Sequence, residues 1–177
     1  MHKAFAIVLV LACAVGPLAG CQTHSAAPAP AAMPATSIEL RAPRPGLYTA
    51  GQPAAADWAS IAARGVGTVI DLRVPGELQG RDEAAEVRSA GMRYVAIPVA
   101  GASGVNDDNA KALRAALAAA KGPVLVHCAS GNRAGGLLAL MQARSAAMTT
   151  AQALEFGRSA GMTGTEARVR ELLDAGE

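Results

Sequence analysis

Apolar and polar positions change period along the chain in short blocks. Gly46 to Ala50 runs into the turn residues Gly51-Gln52-Pro53, which predicts a short strand entering a turn. Pro53 suits the first turn of a helix reaching about Arg64. Trp58 and Ile61 are spaced to share its buried face, and Gly65 ends it. Val66 to Leu72 is an apolar, β-branched run with turn residues after it, and reads as a strand. Gln79 to Ala90 reads as a charged helix closed by Gly91, and Met92 to Val99 as another strand. Asn106 is placed to cap a helix through about Lys121, with Asp107 and Asp108 in its positive first turn. Gly122-Pro123 breaks it, and Val124 to His127 is a third apolar strand. Helical patterns then cover about 133–146, 150–160 and 166–175, with Thr163 and Glu166 spaced as a capping box. Strands alternating with helices predict an α/β fold, a central, mostly parallel sheet with helices on both faces. Ligands in such sheets bind beyond the carboxyl ends of the strands.

The first 37 residues follow a different pattern. Met1-His2-Lys3 is a short basic start, and Ala4 to Val15 is an apolar stretch shorter than a membrane span. Leu18-Ala19-Gly20-Cys21 resembles the bacterial lipobox. That resemblance implies cleavage after residue 20, lipidation of Cys21 and anchoring to the cell envelope facing the periplasm. Gln22, rather than Asp, after the cysteine favours the outer membrane. Residues 21–37 are rich in Ala and Pro, with Pro28, Pro30 and Pro34, and are expected to form an extended tether. Residues 38–177 are then one domain of about 140 residues, enough for a single core.

Composition narrows the classes of function. Without Lys3 the mature chain carries fifteen Lys and Arg against fourteen Asp and Glu, with no basic run and 3% aromatic residues. Nucleic-acid binding therefore has no support in the sequence. Cys13 would leave with the signal segment and Cys21 would carry lipid, so Cys128 becomes the single free thiol of the domain. A lone thiol in an oxidising compartment is a liability unless it is used or deeply buried.

Cys128 ends the third apolar strand and opens Cys-Ala-Ser-Gly-Asn-Arg, a small-residue turn leading to an arginine at a helix start. Main-chain N–H groups of Ala129, Ser130, Gly131, Asn132 and Arg133 would converge there, and Arg133 adds a planar fork of donors suited to phosphate or sulfate. In such a field a thiol value of about 8.5 falls to roughly 3.5–7.5. The competing reading of Cys128 is an inert buried thiol ending an apolar strand.

Four stretches in this order are similar to the protein tyrosine phosphatase superfamily, in its dual-specificity-like branch. The nearest likeness is to the bacterial beta-lactamase hydrolase-like, phosphatase-like domain family. The stretches are Tyr48 to Pro53, Gly65 to Arg73 with Glu77, Gly91 to Pro98, and His127 to Arg133. The resemblance implies a tyrosine-phosphatase-like sheet and hydrolysis of phosphomonoesters on a small molecule or phosphoprotein. Cys128 would attack phosphorus to form a phosphocysteine, and Arg133 with the loop amides would hold the oxygens. Neither metal nor cofactor is implied, because amides and arginine supply the charge stabilisation. His127 matches the residue before the nucleophile and would orient the loop, and Gln52 would stand near the site mouth.

The chain departs from that pattern in three places. Four residues, not five, separate Cys128 from Arg133, a gap also usual in rhodanese-type sulfurtransferases. Ala134 stands where a serine or threonine hydroxyl normally helps the sulfur leave. Gly101 stands roughly where the general-acid aspartate belongs. Asp107 or Asp108 would have to substitute, against the alternative that both simply answer the helix dipole. Asp71 and Arg73 either line the cleft or pair with each other. The departures imply weak turnover, and leave a sulfurtransferase and a non-catalytic anion-binding module as alternatives.

Overall fold

The computed structural model describes residues 37–77, 80–146 and 148–175. The signal segment, Cys21 and the tether to residue 36 lie outside the described residues. Ser37, the last tether residue, is already fastened to the domain. Its N–H and Oγ donate to Asp57 Oδ1 at 2.7 and 2.9 Å.

Five strands form one sheet in the order β1-β2-β5-β3-β4. They are β1 (Arg41–Arg44), β2 (Leu47–Ala50), β3 (Thr68–Asp71), β4 (Arg93–Ala96) and β5 (Val124–His127). β2 to β5 pair in parallel, and β1 adds an antiparallel edge. The pattern did not predict β1. It holds two arginines and Pro43, and proline without an N–H fits only where a strand's far side is unpaired. β5 is central and buried along its whole length, as a strand covered on both faces must be.

Side chains alternate across the sheet and sort the core into two layers. Ala50, Val69 and Leu125 pack with Trp58 and Ile61 of α1 (Asp57–Ala63) and Val87 of α2 (Glu83–Ser89). Ile70, Val124 and Val126 pack on the opposite face. Their partners include Leu113 of α3 (Asp107–Ala118), Leu137 of α4 (Asn132–Arg144), Leu154 of α5 (Thr150–Ser159) and Val169 of α6 (Glu166–Asp174). The same alternation sends His127 toward Trp58, with ring centroids 6.1 Å apart, and Cys128 into the opposite layer.

Helix boundaries correct the sequence reading in places. Pro53 lies before α1 rather than in it, because the Asp57 carboxylate takes the Ala54 N–H and holds residues 53–56 as a turn. α2 starts at Glu83, where Asp82 caps the Ala85 N–H. Asn106 caps α3 through the Asn109 N–H at 2.9 Å, as the pattern predicts. Thr163 and Glu166 form no capping box. Glu166 turns to Arg158 and Arg170, and the box instead opens α5 at Thr149 and Gln152. No helix among the described residues is long and apolar enough to cross a membrane.

α4 and α5 cross closely through glycines. A Cβ on Gly135 would collide with the Met162 backbone and lie 2.6 Å from Gly157 O, and one on Gly157 would lie 2.7 Å from Ala139 Cβ.

Candidate active site

β5 delivers Cys128 to the carboxyl end of the sheet, where the chain turns into α4. Gly131 makes the turn in the left-handed region at φ 88° and is the N-cap of α4. That conformation aims the Gly131 N–H at Cys128 Sγ, 3.1 Å away. The loop is pinned on both sides. Leu72 N–H donates to His127 O at 2.9 Å, and Gln52 N–H donates to Ala129 O at 3.1 Å. A Cβ on Gly51 would stand 3.0 Å from Ala129 O, so only a small residue lets β2 run this near.

Asn132 faces the turn between α5 and α6. Its Oδ1 accepts from Thr163 N–H at 2.8 Å, Thr165 N–H at 3.1 Å and Thr165 Oγ1 at 2.9 Å. Gly164 and Thr165 thereby become one wall of a cavity of about 440 Å³, with Ser130, Arg133, Glu77 and Gly101 around the rest. Cys128 itself is 1% exposed beneath it.

Arg133 is held as a fork. Nη1 donates to Val99 O at 2.8 Å and Glu77 Oε1 at 2.7 Å, and Nη2 donates to Glu77 Oε2. Glu77, by its hydrogen bonds, holds the Arg133 guanidinium above its usual value. Arg133 in turn holds the Glu77 carboxyl below the usual carboxylate range. Glu77 is the site residue the sequence reading did not assign. It comes from the loop after β3, fixed by the Val74 N–H at 2.9 Å, and no periodicity announces it.

The structure does not bring Asp107 and Asp108 into the site. The Asp107 carboxylate is taken by Arg144 Nε at 2.9 Å, in the last turn of α4, while Cys128 precedes the first. Asp108 is exposed beside Lys111. Neither lines the cavity over Cys128, and both remain as charges in the positive first turn of α3.

Asp71 and Arg73 form a buried two-pronged ion pair at 2.9 and 2.6 Å. With Tyr94 they border a separate cavity of about 310 Å³, on the other side of the loop that carries Glu77. Burial raises the Asp71 carboxyl, and the hydrogen bonds from the Arg73 side chain and N–H and from Tyr94, with nearby positive charge, together outweigh it, leaving the group below its usual value. Tyr94 donates to Asp71 Oδ2 at 2.8 Å, and burial with that bond pushes its phenol up. Gln52 turns away from the mouth, its Nε2 donating to Glu83 Oε2 at 2.6 Å. Asp71, Glu83 and His127 place one donor atom each within 4.8 Å of one another, as a metal would require. The Arg73 guanidinium, however, already bridges both carboxylates, which makes the cluster a poor fit for a second cation.

Acid should loosen this domain. Asp57, Asp71, Glu77, Glu86 and Glu166 all sit below their ordinary values of 3.8 or 4.5, Glu166 at about 2 beside Arg158 and Arg170. A depressed carboxyl binds its proton less readily folded than unfolded, so its stabilisation is full above the ordinary value and lost as pH falls through the folded one. The melting temperature is therefore expected to be flat down to about pH 4.5 and to drop between there and about pH 2. A melting temperature that rises over that interval would contradict the assignment.

The mostly parallel α/β sheet, with a cysteine-to-arginine loop leading from β5 into α4, is a tyrosine-phosphatase-like fold. Residues 39–145 match the family model of the beta-lactamase hydrolase-like protein, phosphatase-like domain, and the chain belongs to that family. It is 34% identical over 119 residues to the beta-lactamase hydrolase-like protein of Agrobacterium fabrum and 36% to that of Xylella fastidiosa. These alignments cover 65% of this chain and 27% of the relatives, so the chain spans about a quarter of their length. A phosphatase-fold structure from Neisseria meningitidis superposes with a TM-score of 0.66 at 23% identity, over 76% of this chain and 96% of its own. TpbA of P. aeruginosa gives 0.63 at 25% identity, over 80% and 86%. The described residues after α4 form α5 and α6 with no further strand.

Proposed function

We propose that this domain hydrolyses phosphomonoesters with Cys128 as nucleophile. The Gly131 N–H aimed at Cys128 Sγ carries the reading, because it marks the loop as a cradle for negative charge at sulfur. Sγ attacks phosphorus, the S–P bond forms and the ester P–O bond breaks. Water then attacks the phosphocysteine, releasing phosphate and the thiolate. The loop amides and Arg133 hold the equatorial oxygens in both steps. A cysteine-to-serine variant of TpbA is known in complex with phosphotyrosine, which supports the same chemistry on this loop. The lipobox-like Leu18 to Cys21 supports a lipid anchor in the envelope, most simply the outer membrane, and fractionation of a Cys21→Ala variant tests it.

Among the described residues no acidic side chain other than Glu77 lines the cavity, and Glu77 is engaged by Arg133. The departing oxygen must then take its proton from water. Loss of general-acid help costs roughly 10²–10⁴ in rate for poor leaving groups. With the purified protein, p-nitrophenyl phosphate is expected to turn over at least ~100-fold faster than an alkyl phosphate. Equal rates would show a general acid at work. Thiocyanate formed from thiosulfate and cyanide, without phosphate release from either ester, would favour the sulfurtransferase.

A further inference from the structure

The two residues that flank Cys128 are each gripped by a different part of the fold, and both grips meet at one carboxylate. Upstream, the buried His127 places Nε2 2.8 Å from Glu83 Oε1, an electrostatic contact without the alignment of a hydrogen bond. Downstream, Ala129 O is held by the Gln52 N–H, and the Gln52 side chain is held by Glu83 Oε2 and Pro53 O at 2.6 and 2.9 Å. Arg73 Nη2 donates to the same Glu83 Oε2 at 2.8 Å, while its main-chain N–H and Nε bind Asp71 Oδ1. Glu83 is the first residue of α2 and is 4% exposed. It borders the separate cavity beside Asp71 and Arg73, not the one lined by Ser130 and Arg133.

We propose that Glu83 is a positioning residue for Cys128, acting through Gln52 on the peptide after the sulfur and through His127 on the peptide before it. The proposal rests on the phosphatase reading. Its physical content is that one fixed anion behind the sheet fixes the loop in front of it. The Gly131 N–H reaches Sγ only while the segment from residue 127 to residue 129 keeps its place. A small displacement of that segment moves sulfur relative to the bound phosphorus without removing any group that binds phosphate. An approach misplaced by about 1 Å costs on the order of 100-fold in rate. The effect belongs in kcat rather than KM, since the anion contacts survive.

Gln52→Met tests this most cleanly, because it keeps side-chain bulk, leaves every charge in place and removes only the carboxamide's bonds to Glu83 and to its neighbour Pro53 O. With p-nitrophenyl phosphate, kcat is expected to fall about tenfold with KM changed less than about twofold. Alkylation of Cys128 by iodoacetate at neutral pH should slow by a similar factor. Glu83→Gln, which turns one acceptor oxygen into a donor, should show the same split with a larger loss. Native kcat and native alkylation in a folded Gln52→Met protein overturn the proposal, as does a loss confined to KM. If the wild-type protein hydrolyses no phosphomonoester, the phosphatase reading fails by itself. The alkylation rates of the two variants then still decide whether Glu83 positions the sulfur.

Discussion

Cys128→Ser is expected to lower p-nitrophenyl phosphate hydrolysis by about 10³-fold or more, and to leave the fold intact. The sulfur is 1% exposed in the core layer that holds Val126, Ala134 and Leu138, and an oxygen in its place changes volume little. What changes is chemistry. A serine hydroxyl is scarcely ionised near neutrality, and nothing in the described site is placed to take its proton. An alkoxide is also a poorer leaving group than a thiolate when water attacks the phosphoenzyme. The Gly131 N–H, Asn132 and Arg133 remain where they are, so inorganic phosphate should still protect the variant against heat. Steady-state kinetics and thermal shift with phosphate separate the outcomes. Activity surviving within tenfold of wild type would remove sulfur from the mechanism and leave the loop as an anion receptor.

Arg133→Ala is expected to cost roughly 10²–10³ in kcat/KM, because one preorganised donor set to the transition-state oxygens disappears. The structure adds a second penalty. Glu77 is held by both Nη atoms of Arg133, so truncation leaves an unpaired carboxylate on the wall of the anion cavity. Pairing the change with Glu77→Gln should therefore recover phosphate binding, though not turnover. Arg133→Lys should behave nearly as badly as alanine, since a point ammonium cannot bridge Val99 O, Glu77 and an oxyanion in one plane. Kinetics and phosphate titration of the three variants check this. A single Arg133→Ala protein with wild-type kcat/KM would sink the assignment.

The alternation of apolar blocks made the parallel core legible, because β3 and β5 are buried along their whole length and their middles, Val69-Ile70 and Val124 to Val126, are branched aliphatic residues. The loop after β5 was legible for a different reason. A cysteine, four small or polar residues with glycine among them, and an arginine stand in unbroken order. Partnerships between distant segments were not. Glu77 meets Arg133 across 56 positions, and although it belongs to a stretch that carries the family likeness, nothing local told its role. Gln52 reads as a mouth residue until the fold shows Glu83 behind it. Asp107 and Asp108 misled because the positive turn that favours two acids is a property of α3 alone, whatever lies nearby. β1 escaped because an edge strand needs no apolar face.

Gly135 and Gly157 give the molecule an economy with a hidden cost. The helix that begins at the Cys128 loop is clamped, backbone against backbone, to the helix that leads into the turn carrying the Gly164–Thr165 wall. A methyl group added at Gly135 has no flexible neighbour to displace, and the first thing it meets is the Met162 backbone at the root of that wall. Damage there, remote from sulfur in the chain, would surface as a misshapen substrate entrance rather than as simple melting. A screen scored only on catalysis would mistake such sites for chemical ones.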